Sequence, residues 1–241
     1  MGLFDKWKKT KPIEVQEKIQ PSEKQEIDLP SDMQQEIEEQ IQFCIASGFY
    51  SKDEIFEQVR QIYEDTCMDY DIEIPSTHHI EKIVEKFSSN VDRSALETSN
   101  YVRLRKVFDE LNQERIISIH FVGYTLDDGF KEVGMVFKFM KSKDIPCRGY
   151  CFYQQQDIMR AMDKSIQNLY LAFHSTNGDK GIAVEIGERI VELLMREGFD
   201  IEWNHSEESR IKISNFLWDK VYDGEDYGPE RAIRIMNESE S

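Results

Sequence analysis

LYLAFHSTNGDKGIAVEIGERIVELLMREGFDIEW, residues 169–203, is the stretch on which the fold turns. Leu169-Tyr-Leu-Ala-Phe173 is a short apolar run of strand length. From Gly181 to Glu197, Ile182, Val184, Ile186, Ile190, Val191 and Leu194 recur at helical spacing, and Gly198 stops the helix. Phe199-Asp-Ile-Glu-Trp203 then alternates apolar and acidic residues, as a strand does. Strand, helix and strand in close succession are the repeating unit of a layered α/β domain.

The same alternation extends in both directions. Upstream, the pattern predicts a helix over 100–113, a β-branched strand at Ile116-Ile-Ser-Ile-His-Phe-Val122, a helix over 127–141 and a strand at 149–153. Asp157 is placed to cap a further helix through Met159 and Met162. Downstream, Arg210 to Ser214 forms a last strand, joined to the previous one by the turn 204–209. Two strands so joined make an antiparallel hairpin, so the sheet of about five strands is expected to be mixed. The α/β domain spans 98–218, and the acidic residues 219–241 are expected to form a tail in which 232–236 could dock as a short helix.

Residues 31–95 follow a different rule. Met33, Ile37, Ile41 and Ile45 recur every four residues after the cap Ser31-Asp32, and Ser51-Lys-Asp-Glu54 is a capping box opening a second helix. Pro75-Ser-Thr77 starts a third, carrying Ile80, Ile83 and Val84. Together they predict a small helical bundle ahead of the α/β domain. Pro12 to Pro30 has few large apolar residues and reads as a disordered linker. Met1 to Lys11 reads as a short amphipathic helix with Leu3, Phe4 and Trp7 on one face and four lysines around them, suited to a partner's groove or an anionic membrane surface.

Charge narrows the classes of function. The chain has 241 residues, 47 acidic and 30 basic, a formal charge of −17. Nucleic-acid binding is not expected, because phosphate contact needs clustered Lys and Arg. A basic protein partner suits the balance, since a negative field speeds its association. Between 31 and 100 there are 16 acidic and 5 basic side chains, so this segment carries −11 of the total. No apolar run reaches membrane-span length and no secretory leader stands at the start, so a cytoplasmic address is expected. Four cysteines in a chain this rich in core residues do not imply a disulfide framework.

The residues that could carry chemistry are few. Cys147 and Cys151 have zinc-like spacing, yet a second pair at such spacing is missing, so no metal and no cofactor are expected. His120, Cys151 and His174 lie on or near strands and would make a nucleophile pair only if strand order brought them together. The loop Gly123 to Gly129 occupies a phosphate-loop position, but Asp127 and Asp128 would repel phosphate, and capping by Thr125 or Asp127 accounts for it. Tyr153-Gln-Gln-Gln-Asp157 closes the second strand, and polar amides there can face a ligand crevice. Tyr153, Gln155, Asp157 and His174 are therefore the candidate ligand-binding residues, and no catalytic residue is assigned.

The motifs Gly149-Tyr-Cys-Phe-Tyr-Gln-Gln-Gln-Asp157, Leu169-Tyr-Leu-Ala-Phe-His174 and Gly187-Glu-Arg-Ile-Val with Trp203 resemble a functionally uncharacterised bacterial family. The resemblance covers roughly residues 100–215 and implies one α/β unit and a bacterial source, with no activity attached. Many members of the family it resembles carry a Cys-rich loop after the first strand; Gly123-Tyr-Thr-Leu-Asp-Asp stands there instead, so the resemblance implies no metal chemistry for this chain. The functional expectation is a non-enzymatic, acidic protein-binding module of an immunity-like or regulatory kind. Its rivals are a ligand sensor or enzyme with a pocket in the α/β domain, and an adaptor held at a membrane surface by residues 1–11.

Overall fold

A computed structural model describes residues 31–70, 74–88 and 99–239 of the chain. The amphipathic segment 1–11 and the linker 12–30 lie outside the described residues. The chain divides into two compact units: a helical one holding 31–46 and 50–88, and a larger one holding 47–49 and 99–239.

The helical unit consists of α1 (Ser31–Ala46), α2 (Lys52–Tyr70) and α3 (Thr77–Ser88). In its interior Ile37, Ile41 and Ile45 of the four-residue repeat meet Ile55, Val59, Ile62, Tyr63 and Cys67 of the second helix, with Ile80 and Val84 from the third. Each such aliphatic side chain contributes about 2 kcal/mol by leaving water. The capping box forms, with the Glu54 amide donating to Ser51 Oγ at 3.2 Å and the Ser51 amide to Glu54 Oε2 at 2.7 Å.

The second unit runs α4 (Asn100–Gln113), β1 (Ile116–Ile119), α5 (Leu126–Lys141), β2 (Gly149–Phe152), α6 (Gln155–Met162), β3 (Leu169–Ser175), α7 (Lys180–Arg196), β4 (Asp200–Glu202), β5 (Ile211–Ser214) and α8 (Pro229–Glu238). The five-stranded sheet has the order β1-β2-β3-β5-β4. β1 and β2 are parallel; β2 with β3, β3 with β5 and β5 with β4 are antiparallel. The sheet is mixed, as the hairpin predicted, but the reversal between β2 and β3 is not visible in the alternation of elements. A parallel return needs a crossover of a dozen or more residues laid across the sheet. The connection between β2 and β3, residues 153–168, is long enough for either return, and its eight-residue helix packs against β3.

Register sorts the side chains into two faces. Gly149, Cys151 and Phe173 face α7: a Cβ on Gly149 would lie 2.2 Å from Ile186 Cδ1, and one on Gly187 would lie 2.8 Å from the Phe173 ring and 2.5 Å from Trp203. The two glycines of the family-like motifs thus have a packing reason, since α7 approaches the sheet too closely there for a side chain. On the other face Ile117, Ile119, Phe152 and Ala172 form a core with Val133, Val136 and Met140 of α5 and Ala232 and Met236 of α8. Residues 219–241, set apart above as an acidic tail, supply α8 and its buried Ala232 and Met236 to this core.

Two local expectations change. The first strand stops at Ile119, because Phe121 takes φ 53°, a left-handed conformation that cannot continue a ladder. Helix α6 begins at Gln155, which moves Asp157 from the cap position into the first turn, where it accepts the Gln154 amide at 3.4 Å.

Candidate functional site

The end of β2 places its polar residues in separate surroundings. Tyr153 is fully buried, with its hydroxyl 2.8 Å from His120 Nδ1 and its ring against Phe108 and Trp218. Gln155 is buried too; its amide donates to the Gly123 carbonyl, while the side-chain oxygens of Gln154 and Gln155 have no hydrogen-bond partner.

Asp157 lies beneath two arginines. Only 1% of its side chain is exposed, and its Oδ1 is 2.9 Å from Arg210 Nη1 and 3.0 Å from Arg160 Nη1. Both guanidiniums also lie over the Tyr170 ring, Arg210 at 4.9 Å and Arg160 at 6.0 Å. Burial raises the Asp157 carboxyl above its ordinary range, although Arg210 and the Gln154 amide pull the other way.

His174 stands further along β3. It pairs with Tyr150, its ring 6.5 Å from that of Tyr150, and its Nδ1 contacts Ser175 Oγ at 3.2 Å. Ala172, two residues away, is level with Phe152 at the other end of β2. Tyr153 and Gln155 therefore belong to the interior, Asp157 to an arginine cluster at one end of the sheet, and His174 to the other end of β2. The Cys–His pairing does not form: Cys151 is opposite Phe173 on the α7 face, and His174 points to the other face. Burial also pushes the Cys151 thiol up, away from a reactive thiolate. Among the described residues there is no cluster of three His, Cys, Asp or Glu able to hold a metal.

Sequence reasoning missed the most unusual group. Lys220 has a side chain 1% exposed, and three rings surround its ammonium: Tyr227 at 4.3 Å, Tyr101 at 4.8 Å and Phe49 at 5.0 Å. Its polar contacts are the Val221 carbonyl at 3.3 Å and Asp223 Oδ1 at 3.6 Å. Desolvation brings its pKa down to about 8, against the pull of Asp223. The Tyr227 hydroxyl donates to Asp223 Oδ2 at 2.5 Å and accepts from Arg105 at 3.3 Å. Arg231 lies 5.1 Å over the same ring and pairs with Asp109 through two 2.8 Å hydrogen bonds.

His120 forms the back of this cluster. Its ring stacks on Phe108 at 4.3 Å and meets Tyr101 and Tyr227 at 5.4 Å each, and its amide donates to the Tyr227 carbonyl. Burial, reinforced by Arg231, Lys220 and Arg105, holds its pKa well below the usual range, so the imidazole is neutral; its Nε2 has no partner. The one sequence signal was Lys220 itself, a lone cation in the apolar and aromatic run Phe216-Leu-Trp-Asp-Lys-Val-Tyr222.

An open groove beside α4 and α8, lined by Asp109, Gln113, Glu225, Arg231, Arg234 and Glu238, is polar and of mixed sign. No described helix is long and apolar enough to cross a membrane. No curated protein and no solved structure matches the chain. A family model described as a domain of unknown function (DUF6891) matches residues 30–222, most of the chain, and the protein belongs to that family.

Proposed function

We propose that the protein is a non-enzymatic binding module that engages a basic protein partner through its acidic helical unit. The observation that carries this reading is how α1–α3 divide their residues. Their isoleucines and valines are turned into the shared core, while Glu39, Asp53, Glu54, Glu57, Glu81 and Glu85 stand exposed. Residues 31–100 hold 16 acidic against 5 basic side chains. Arg60 is taken up locally by Glu57 and Glu64. The exposed carboxylates outnumber the exposed lysines Lys52, Lys82 and Lys86, and the negative excess speeds the approach of a positively charged partner and is weakened by salt. In the second unit, by contrast, many charges are consumed internally, as in Arg189 with Glu110, Glu114 and Glu192.

The test is capture of partners by the tagged full chain from its host at about 50 mM and about 500 mM salt, beside a Glu39→Lys, Asp53→Lys, Glu81→Lys variant. A stoichiometric basic partner retained only at low salt and lost in the variant supports the reading. Capture indifferent to both changes removes it.

A second reading, a small-molecule pocket at the end of β2, has one observation in its favour. The buried oxygens of Gln154 and Gln155 lack hydrogen-bond donors, and buried acceptors are ordinarily satisfied. A rise in melting temperature with a ligand bearing N–H donors, abolished by Gln155→Leu, would favour it over the first.

A further inference from the structure

We propose that the cage of Phe49, Tyr101, Tyr227 and Asp223 is a binding site for a small quaternary ammonium ligand, and that Lys220 is its resident internal competitor. This site is independent of the acidic helical surface discussed above.

Three aromatic rings and a carboxylate around one cation are the recognition geometry of quaternary ammonium groups, because ring faces attract positive charge without requiring hydrogen bonds. Here all three rings stand 4.3–5.0 Å from the ammonium they enclose. A primary ammonium is a poor occupant of such a cage. It is strongly hydrated and offers three N–H donors, and its acceptors here are the Val221 carbonyl and the more distant Asp223. A trimethylammonium group gives up less hydration and has no donors to satisfy, so the same rings favour it more.

Carboxylates and guanidiniums both stand around the cage. The ion-paired groups at the cage are the carboxylates Asp109, Asp223 and Glu225 and the guanidiniums Arg105 and Arg231. His120 is buried and neutral. Asp219, next to Lys220, is taken up by the amides of Asn100 and Tyr101. Of the charges that act on the ammonium, Asp223 favours a cation and the guanidiniums Arg105 and Arg231 oppose it, so the rings and Asp223 hold Lys220, and would hold a ligand cation, against that opposition. Residues 222–226, next to the cage in the chain, form an exposed irregular segment, with Gly224 at φ 76° and open space around it. For a ligand to enter, the buried Lys220 side chain must leave the cage.

The experiment uses the full chain with choline as the probe and 3,3-dimethylbutanol, its uncharged isostere, as the control. Titration is followed by calorimetry and by the fluorescence of Trp218, whose ring is 5.6 Å from Tyr101. The expected result is saturable choline binding to the wild type, with Kd tighter than roughly 10 mM, and no saturation by the alcohol. Lys220→Ala should tighten choline binding about tenfold, since it removes the competitor. Wild-type binding should also tighten between pH 7 and pH 9, where Lys220 loses its charge, so the proposal stays testable if the variant fails to fold. Equal binding of the alcohol would mean mere cavity filling and would overturn the proposal. So would the absence of saturable choline binding to the wild type at both pH values.

Discussion

The second unit contains two clusters built from the same parts and arranged in opposite senses. At the end of β2 a buried carboxylate, Asp157, lies under two partly exposed arginines that stack on Tyr170. Beside α8 a buried cation, Lys220, lies among Tyr101, Tyr227 and Phe49, with the partly exposed carboxylate of Asp223 at its side. In both, burial outweighs the opposite charge. Asp157 is shifted up and Lys220 down, each toward its neutral form. The comparison teaches that an ion pair does not by itself identify which partner stabilises the fold: the buried member carries a desolvation cost that the exposed member only partly offsets.

Four measurements break or sharpen this symmetry. The largest effect belongs to Lys220. Its folded pKa is about 8 against an ordinary 10.5, so between those values the unfolded chain holds a proton that the folded one has lost. Stability therefore rises with pH across that window, by up to about 3 kcal/mol from this group. Urea denaturation of wild type and Lys220→Met at pH 7 to 10.5 should show the rise only in the wild type, and the variant more stable at pH 7 by about 1–2 kcal/mol. Parallel curves would mean the ammonium is well solvated in the fold.

At the mirror site, Asp157→Ala should cost about 2–3 kcal/mol, leaving two cations unpaired and the α6 turn uncapped. Asp157→Asn should stay within about 1 kcal/mol, because burial makes the carboxylate's charge costlier there than in water and offsets much of what its two arginines contribute. If Asn costs as much as Ala, the charge itself is required and the symmetry fails.

His120 gives an acid-side check. Its folded pKa lies well below the ordinary 6.5, so as pH falls below that value the unfolded chain gains a proton that the folded chain refuses. Stability should drop by up to about 1.4 kcal/mol per pH unit from this group, and His120→Phe should flatten that slope in thermal melts recorded from pH 7 to pH 5. The smallest effect is Tyr170→Leu, which removes the ring beneath Arg210 and Arg160 and should cost under about 1 kcal/mol in the same urea assay. A larger loss would show that the arginines depend on the ring for their hold on Asp157.

The two clusters also differ in how far sequence reveals them. Asp157 was visible because it follows a strand and opens a helix, and local order places such a residue without knowledge of the rest. The same local rules gave the element order of the second unit and the three-helix core, whose isoleucines and valines recur at helical spacing. They did not give the reversal between β2 and β3, since a connection of that length allows either return. Nor did they give the cage. Phe49, Tyr101 and the pair Lys220 and Tyr227 come from three separate segments and share no period, so only the tertiary fold assembles them. His174 shows the converse: its place on a strand was readable, but its face and its distance from Asp157 depend on register.

The last helix has a consequence for how the protein is made. Ala232 and Met236 of α8 are fully buried against Ile117 and Ile119 of β1, and Arg231 pairs with Asp109 across 122 positions of chain. A ribosome therefore exposes β1 long before it delivers the residues that cover it. A nascent chain halted anywhere before α8 would present an uncovered isoleucine face to chaperones and proteases. Premature stop codons just ahead of α8 should then clear the product from the cell rather than leave a protein with its other elements intact at work.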